Sequence, residues 1–158
     1  MSGTLSSTSR RIQDLLTSLG FNCQVIELPD TTRTAVEAAN SVGCRVAQIT
    51  KSLVFKGKRT GEPILIIASG SNRVNEKRIA EYIGEPIEKA DAEFVRVTTG
   101  FAIGGVPPLG HVQEIRTFID EDLLQHEKIW AAGGTPNSVF QLDAKDLQKM
   151  TGGQVVEI

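Results

Sequence analysis

Four branched aliphatic residues stand in a row at Ile64-Leu65-Ile66-Ile67. Successive side chains of a strand point to opposite faces, so such a run places apolar groups on both faces of a sheet. A strand of that kind must be covered from two sides. Ile49 to Lys56 also reads as a strand, and the polar loop Gly57 to Glu62 between them holds two glycines, which predicts a hairpin. The rest of the chain supplies the covering layers. Ile12, Leu15, Leu16 and Leu19 follow helical spacing, with Ser9 as the expected cap and Gly20 after the last turn. Thr34 and Glu37 form a capping box ahead of Ala35, Ala38, Ala39 and Val42, and Gly43 stops that helix. Asn75 to Ile83 and Asp91 to Thr99 predict two more helices, each followed by a glycine. Further strands are expected at Cys23–Leu28, Gln113–Ile119, Ile129–Ala132, Val139–Leu142 and Val155–Ile158. Asp120 can cap a turn through Leu124, and Asp143 a last helix to about Met150. These elements do not alternate as βαβ units. The expected fold is therefore α/β (α+β): a mixed, mainly antiparallel, barrel-like sheet surrounded by helices. At 158 residues with 40% apolar content, the chain fits one domain over residues 1–158.

Charge limits the partners. A net charge of −2 argues against a broad basic surface for duplex DNA, whose binding rests on many phosphate contacts. The single-stranded end of an RNA stays compatible. Cys23 and Cys44 are too few and too far apart for a disulfide scaffold, which points to a reducing compartment, the cytoplasm. No apolar run approaches the ~20 residues that span a bilayer, so no membrane association is expected. Met1 to Arg10 is Ser/Thr-rich and reads as a frayed lead-in.

Two features stand out chemically. Lys51 shares a strand face with Leu53 and Phe55, near the start of the strand. If those two face the interior, its ammonium meets an anion, such as a substrate phosphate or a developing oxyanion; otherwise it snorkels to solvent. The segment Phe101 to His111 carries Gly104, Gly105, Pro107, Pro108 and Gly110. Its glycines allow backbone N–H groups to approach a ligand, and its prolines stiffen the loop; a plain connection is the alternative. Gly133-Gly134-Thr135-Pro136 repeats the pattern more weakly, and a hairpin turn explains it as well. Ser69 and Gly70 follow the buried strand and either line a pocket rim or form a turn. Thr34 is a helix cap that can also touch substrate, and His111 follows the Gly/Pro loop. Metal and cofactor motifs are absent: no H-E-x-x-H, C-x-x-C or phosphate-loop pattern occurs. No G-x-S-x-G elbow is present either, and both cysteines read as structural.

Taken together, Thr34–Ala39, Gln48–Phe55, Thr99–His111 and Trp130–Pro136 resemble the YbaK/ProX family of aminoacyl-tRNA editing domains. The family includes the insertion editing domain of bacterial prolyl-tRNA synthetases. The resemblance implies a compact α/β domain on a mixed, barrel-like sheet. It implies hydrolysis of the ester that joins a wrong amino acid to tRNA, typically tRNA for proline. It places the family's functional lysine on Lys51 and its Gly-x-x-x-Pro loop on Gly104 to Pro108, with Pro107 where members often carry a small polar residue. Lys51, Gly104 and Gly105 are thus the expected catalytic groups, the glycine N–H groups facing the ester carbonyl or the substrate's amine. Thr34, Ser69, Gly70, Pro108, His111, Gly133 and Gly134 are the expected substrate contacts. The expected partners are the aminoacyl-tRNA 3′ end and, as a second candidate, prolyl-tRNA synthetase. The rival reading is a module that binds tRNA ends or a synthetase without catalysis.

Overall fold

The computed structural model describes residues 5–29 and 34–158. In chain order the elements are α1 (Ser7–Ser18), β1 (Val25–Glu27), α2 (Ala35–Val42), β2 (Thr50–Gly57), β3 (Pro63–Ser69), α3 (Glu76–Ile83) and β4 (Ile87–Lys89). They continue with α4 (Ala92–Thr99), β5 (Arg116–Asp120), β6 (Lys128–Ala132), β7 (Ser138–Asp143), α5 (Asp146–Thr151) and β8 (Gln154–Val156). Short 3-10 turns occupy Val46–Gln48 and Glu121–Gln125.

β3 sits at the centre of a five-stranded sheet ordered β4-β2-β3-β5-β8. It pairs antiparallel with β2, through the expected hairpin, and parallel with β5. Its apolar run is buried on both faces. Leu65 and Ile67 enter the main core with Ile12, Leu16, Phe140 and Leu142. Ile64 and Ile66 enter a second core with Phe55, Ile79 and Phe118. Each such side chain contributes about 1.5–3 kcal/mol on burial. A second sheet, β1-β7-β6, is fully antiparallel and covers the main core from the other side. The two sheets meet at one parallel bridge, Ile49 to Trp130. The architecture is the mixed α/β arrangement expected, with two sheets and no closed barrel. The alanines of α2 let it lie close over that joint: Ala38 and Ala39 pack with Ile49 and Trp130.

Several helix ends match the capping residues. Thr34 and Glu37 form the reciprocal box, and Asn75 and Asp91 accept from the third backbone N–H of α3 and α4. Three details differ from expectation. The N-cap of α1 is Ser6, because Ser9 is buried inside the helix. Ser7 to Arg10 is thus helical, while residues 1–4 of the expected lead-in lie outside the described residues. Asp143 ends β7 and pairs with Lys128, and α5 begins after Lys145 without a side-chain cap.

The hairpin loop is held by Glu85, a residue only 8% exposed. Its carboxylate accepts from the Thr60 hydroxyl at 2.6 Å, the Arg59 N–H at 2.8 Å and the Thr60 N–H at 3.1 Å. The Thr60 hydroxyl, then these two N–H groups, hold the carboxyl below its ordinary range. A carboxyl depressed in the folded state stabilises the fold above its unfolded value and stops doing so as pH falls through its folded value. The thermal midpoint of Glu85→Gln is therefore expected to drop less than that of the wild type on acidification below the ordinary carboxylate range. Parallel midpoint curves would show that Glu85 is not coupled to folding.

Candidate active site

β4 pairs with β2 only over Phe55 to Gly57. Among the described residues, the edge of β2 from Lys51 to Leu53, beyond the Ile49–Trp130 bridge, is left without a strand partner on that side. Gly57 donates to Glu62 and the Ile49 carbonyl accepts from Gly70, so odd-numbered residues of this stretch bond toward β3. Ladder alternation turns the N–H and C=O of Ser52 the other way, into the open. A cavity of about 860 Å³ lies along this uncovered edge.

The cavity straddles both faces of the sheet. On one face stand Lys51, Arg73 and Lys89, with Glu76 as the acidic neighbour. Lys89 belongs there because it pairs with Phe55, which shares a face with Lys51. On the other face the wall is apolar, formed by Val54, Val95, Val106 and Ala131, all members of the main core. Thr34, Gly70 and Gly104 also line the cavity.

Lys51 is half-buried, and its Nζ donates to the Asn72 carbonyl at 2.6 Å. The Asn72 amide in turn donates to Asp120 and Asp122, both at 2.8 Å. Asp120 is 1% exposed and also accepts from the Ser69 N–H at 2.9 Å, so this loop is braced from beneath. Among the described residues no carboxylate reaches Lys51 at ion-pair distance; the ion pairs are Arg78–Glu157, Arg96–Glu93 and Lys128–Asp143. Burial first, then the Arg73 guanidinium, lower the Lys51 ammonium below its ordinary value, with Asp120 opposing. Lys51, Arg73 and Lys89 outnumber Glu76, the one carboxylate among the described residues that line this wall, which favours an anion among them.

The two glycines of the Gly/Pro loop take different positions. Gly105 donates its N–H to the Ala102 carbonyl at 3.0 Å, closing a turn, and packs against the backbone of Thr135. Gly104 has φ +92°, a conformation that favours glycine, and it alone of the pair reaches the cavity. The Gly105 N–H is thus spent inside the loop, and Gly104 is the glycine of the pair that lines the cavity.

The remaining expected contacts stand back from the cavity wall. Pro108 is buried. His111 is half-buried and its Nε2 lies 2.8 Å from the Pro107 carbonyl, which makes that nitrogen the donor. Burial, with Arg11 adding, pushes the imidazole down, and the Pro107 bond opposes them. Ser69 turns its hydroxyl to the Ala47 carbonyl. Gly133 donates to Ser138, and Gly134 packs against α1 and Phe101. These two support the Thr135–Pro136 turn against which Gly105 rests. Burial raises both thiols, so neither Cys23 nor Cys44 is a thiolate. Arg73 and Lys89 also line the cavity and carry no signal in the sequence, and Trp130 is legible only as the start of the Trp130–Pro136 segment. Arg73 follows a turn and carries no periodic signal; only the fold brings it beside Lys51.

The model of the aminoacyl-tRNA editing domain matches residues 29–150. A crystal structure described as a "putative trans-editing enzyme for prolyl tRNA synthetase" superposes with a TM-score of 0.91 at 47% identity, covering 98% of both chains. The "putative Cys-tRNA(Pro)/Cys-tRNA(Cys) deacylase EbsC" of Enterococcus faecalis is 28% identical over 125 residues, 78% of this chain and 76% of that protein. The proline–tRNA ligase of Limosilactobacillus fermentum is 34% identical over 94 residues, which are 57% of this chain and 16% of the ligase.

Proposed function

The chain belongs to the aminoacyl-tRNA editing domain family, and from that premise we propose that it acts in trans on mischarged tRNA, with tRNA for proline carrying a small wrong amino acid as its substrate. It is a hydrolase of the aminoacyl ester. Water adds to the ester carbonyl, the bond to the ribose oxygen breaks, and free amino acid and uncharged tRNA result.

The observation that carries this reading is the two-sided cavity on the open edge of β2. Its cationic face suits the phosphate and ribose of an RNA end. Its apolar face suits a small acyl group. The ester then lies at the strand edge, near Ser52 and the Gly104 N–H. An aminoacyl ester is already activated, so positioning a water and stabilising the oxyanion suffice. In our reading Lys51 holds the terminal phosphate or the developing negative charge. Gly104 donates to the carbonyl oxygen, and the neighbouring 2′-hydroxyl of the substrate helps to activate the water. Prolyl-tRNA synthetase and the cytoplasm are the partner and the compartment that go with this reading.

The test is a deacylation screen of purified protein against tRNA for proline carrying alanine, serine, cysteine, threonine, 2-aminobutyrate or proline. Release of one or more small amino acids, with prolyl-tRNA spared, is the expected result. Tight binding without release would instead fit a non-catalytic module.

A further inference from the structure

Thr50 begins β2 on the apolar side of the cavity, sharing its face with Ser52 and Val54. It is 6% exposed, and its Oγ1 is buried with no hydrogen-bond partner among the described residues. Its nearest cross-strand neighbour, Ser69, cannot serve, because that hydroxyl already engages the Ala47 carbonyl and Ser71. Folded proteins rarely keep a buried hydroxyl unpaired without a use. A valine would fill the same shape on a strand at no such cost. Thr50 is also among the cavity-lining residues, beside Trp130 and Ala131 of β6.

We propose that Thr50 is a specificity-determining residue whose Oγ1 hydrogen-bonds the side-chain hydroxyl of the amino acid to be removed. This inference rests on the deacylase reading above. Ser52, where the strand edge is open, lies two residues on, about 7 Å along the strand. An ester held at that edge sends its side chain into the apolar face. The few bonds from the carbonyl carbon to a serine oxygen, plus one hydrogen bond of about 2.8 Å, span most of that interval. Val54, Val95 and Val106 offer that oxygen no other partner. A seryl ester satisfies Thr50; an alanyl ester leaves it unpaired. A thiol is a weaker partner, so cysteinyl falls between them.

The experiment compares wild type, Thr50→Val and Thr50→Ser on seryl-, cysteinyl- and alanyl-tRNA for proline, with a thermal melt of each protein. Thr50→Val is expected to lose about tenfold in kcat/KM on the seryl ester, the scale of one hydrogen bond. It should lose less on the cysteinyl ester and under about twofold on the alanyl one. Its melting midpoint should hold or rise, because an unpaired buried hydroxyl is removed. Thr50→Ser, which keeps the hydroxyl, should retain the seryl preference. Equal losses on all three esters, or none on the seryl ester, would overturn the proposal while leaving the deacylase reading intact. Failure of the wild type to hydrolyse the seryl ester would also overturn this proposal, and failure on threonyl and 2-aminobutyryl esters as well as these three would sink the deacylase reading with it.

Discussion

Lys51→Ala is expected to lower single-turnover deacylation by about 10²–10³-fold, the cost of losing one preorganised charge at a developing oxyanion. The melting midpoint should move little. The ammonium is half-buried, shares its wall with Arg73 and, among the described residues, has the Asn72 carbonyl as its one hydrogen-bond partner, so removing it relieves as much as it costs. Lys51→Arg should not restore the rate. A planar guanidinium cannot occupy the point where Nζ meets Asn72 without moving the loop that Asp120 braces. The measurement is the decay of mischarged tRNA under enzyme excess, beside thermal melts of each variant. Near-full activity in Lys51→Ala would remove Lys51 from the mechanism.

The sequence signals that survive folding are those written in local chemistry. The Thr34–Glu37 box acts within one helical turn and stands where its spacing places it, and the helices expected from Asn75 and Asp91 start at those residues. The Ile64–Ile67 run specifies a doubly covered strand whatever the partners are. The face of Lys51 follows from strand alternation alone. What stayed hidden depends on partners far along the chain. β4 is three residues long and pairs with a strand some thirty residues earlier, so no periodicity marks it. Yet the shortness of β4 is what leaves the β2 edge open and creates the cavity. Asp143 resembles a helix cap locally, but Lys128 across the β6–β7 pair claims it. Thr50 looks like an ordinary strand residue until the burial of its hydroxyl is known. Gly104 and Gly105 read as equivalent donors, and the Ala102 carbonyl separates them.

That separation makes Gly105→Ala the sharper probe of the loop. A Cβ built there lies 2.7 Å from the Thr135 carbonyl carbon and 2.9 Å from its Cα. Both are backbone atoms in a turn pinned by Ser138, which accepts from the Thr135 N–H at 3.0 Å. The Thr135 turn cannot yield easily, so the loop must move away from it and take Gly104 with it. Overpacking of this kind costs about 1–3 kcal/mol of stability. The larger effect should be on rate: a shift of about 1 Å in a positioned group can cost about 10²-fold. The loss should fall mainly on kcat, because the cationic wall that we propose holds the RNA end lies on the other face of β2. Gly152→Ala is the control. That glycine has φ +70° with nothing within 4 Å of an added Cβ, so it pays only for backbone strain, far from the cavity. A similar fall in melting midpoint with full activity in Gly152→Ala, against a large kcat loss in Gly105→Ala, would separate loop position from stability. Equal activities in the two variants would show that the Thr135 contact does not set the position of the Gly104 donor.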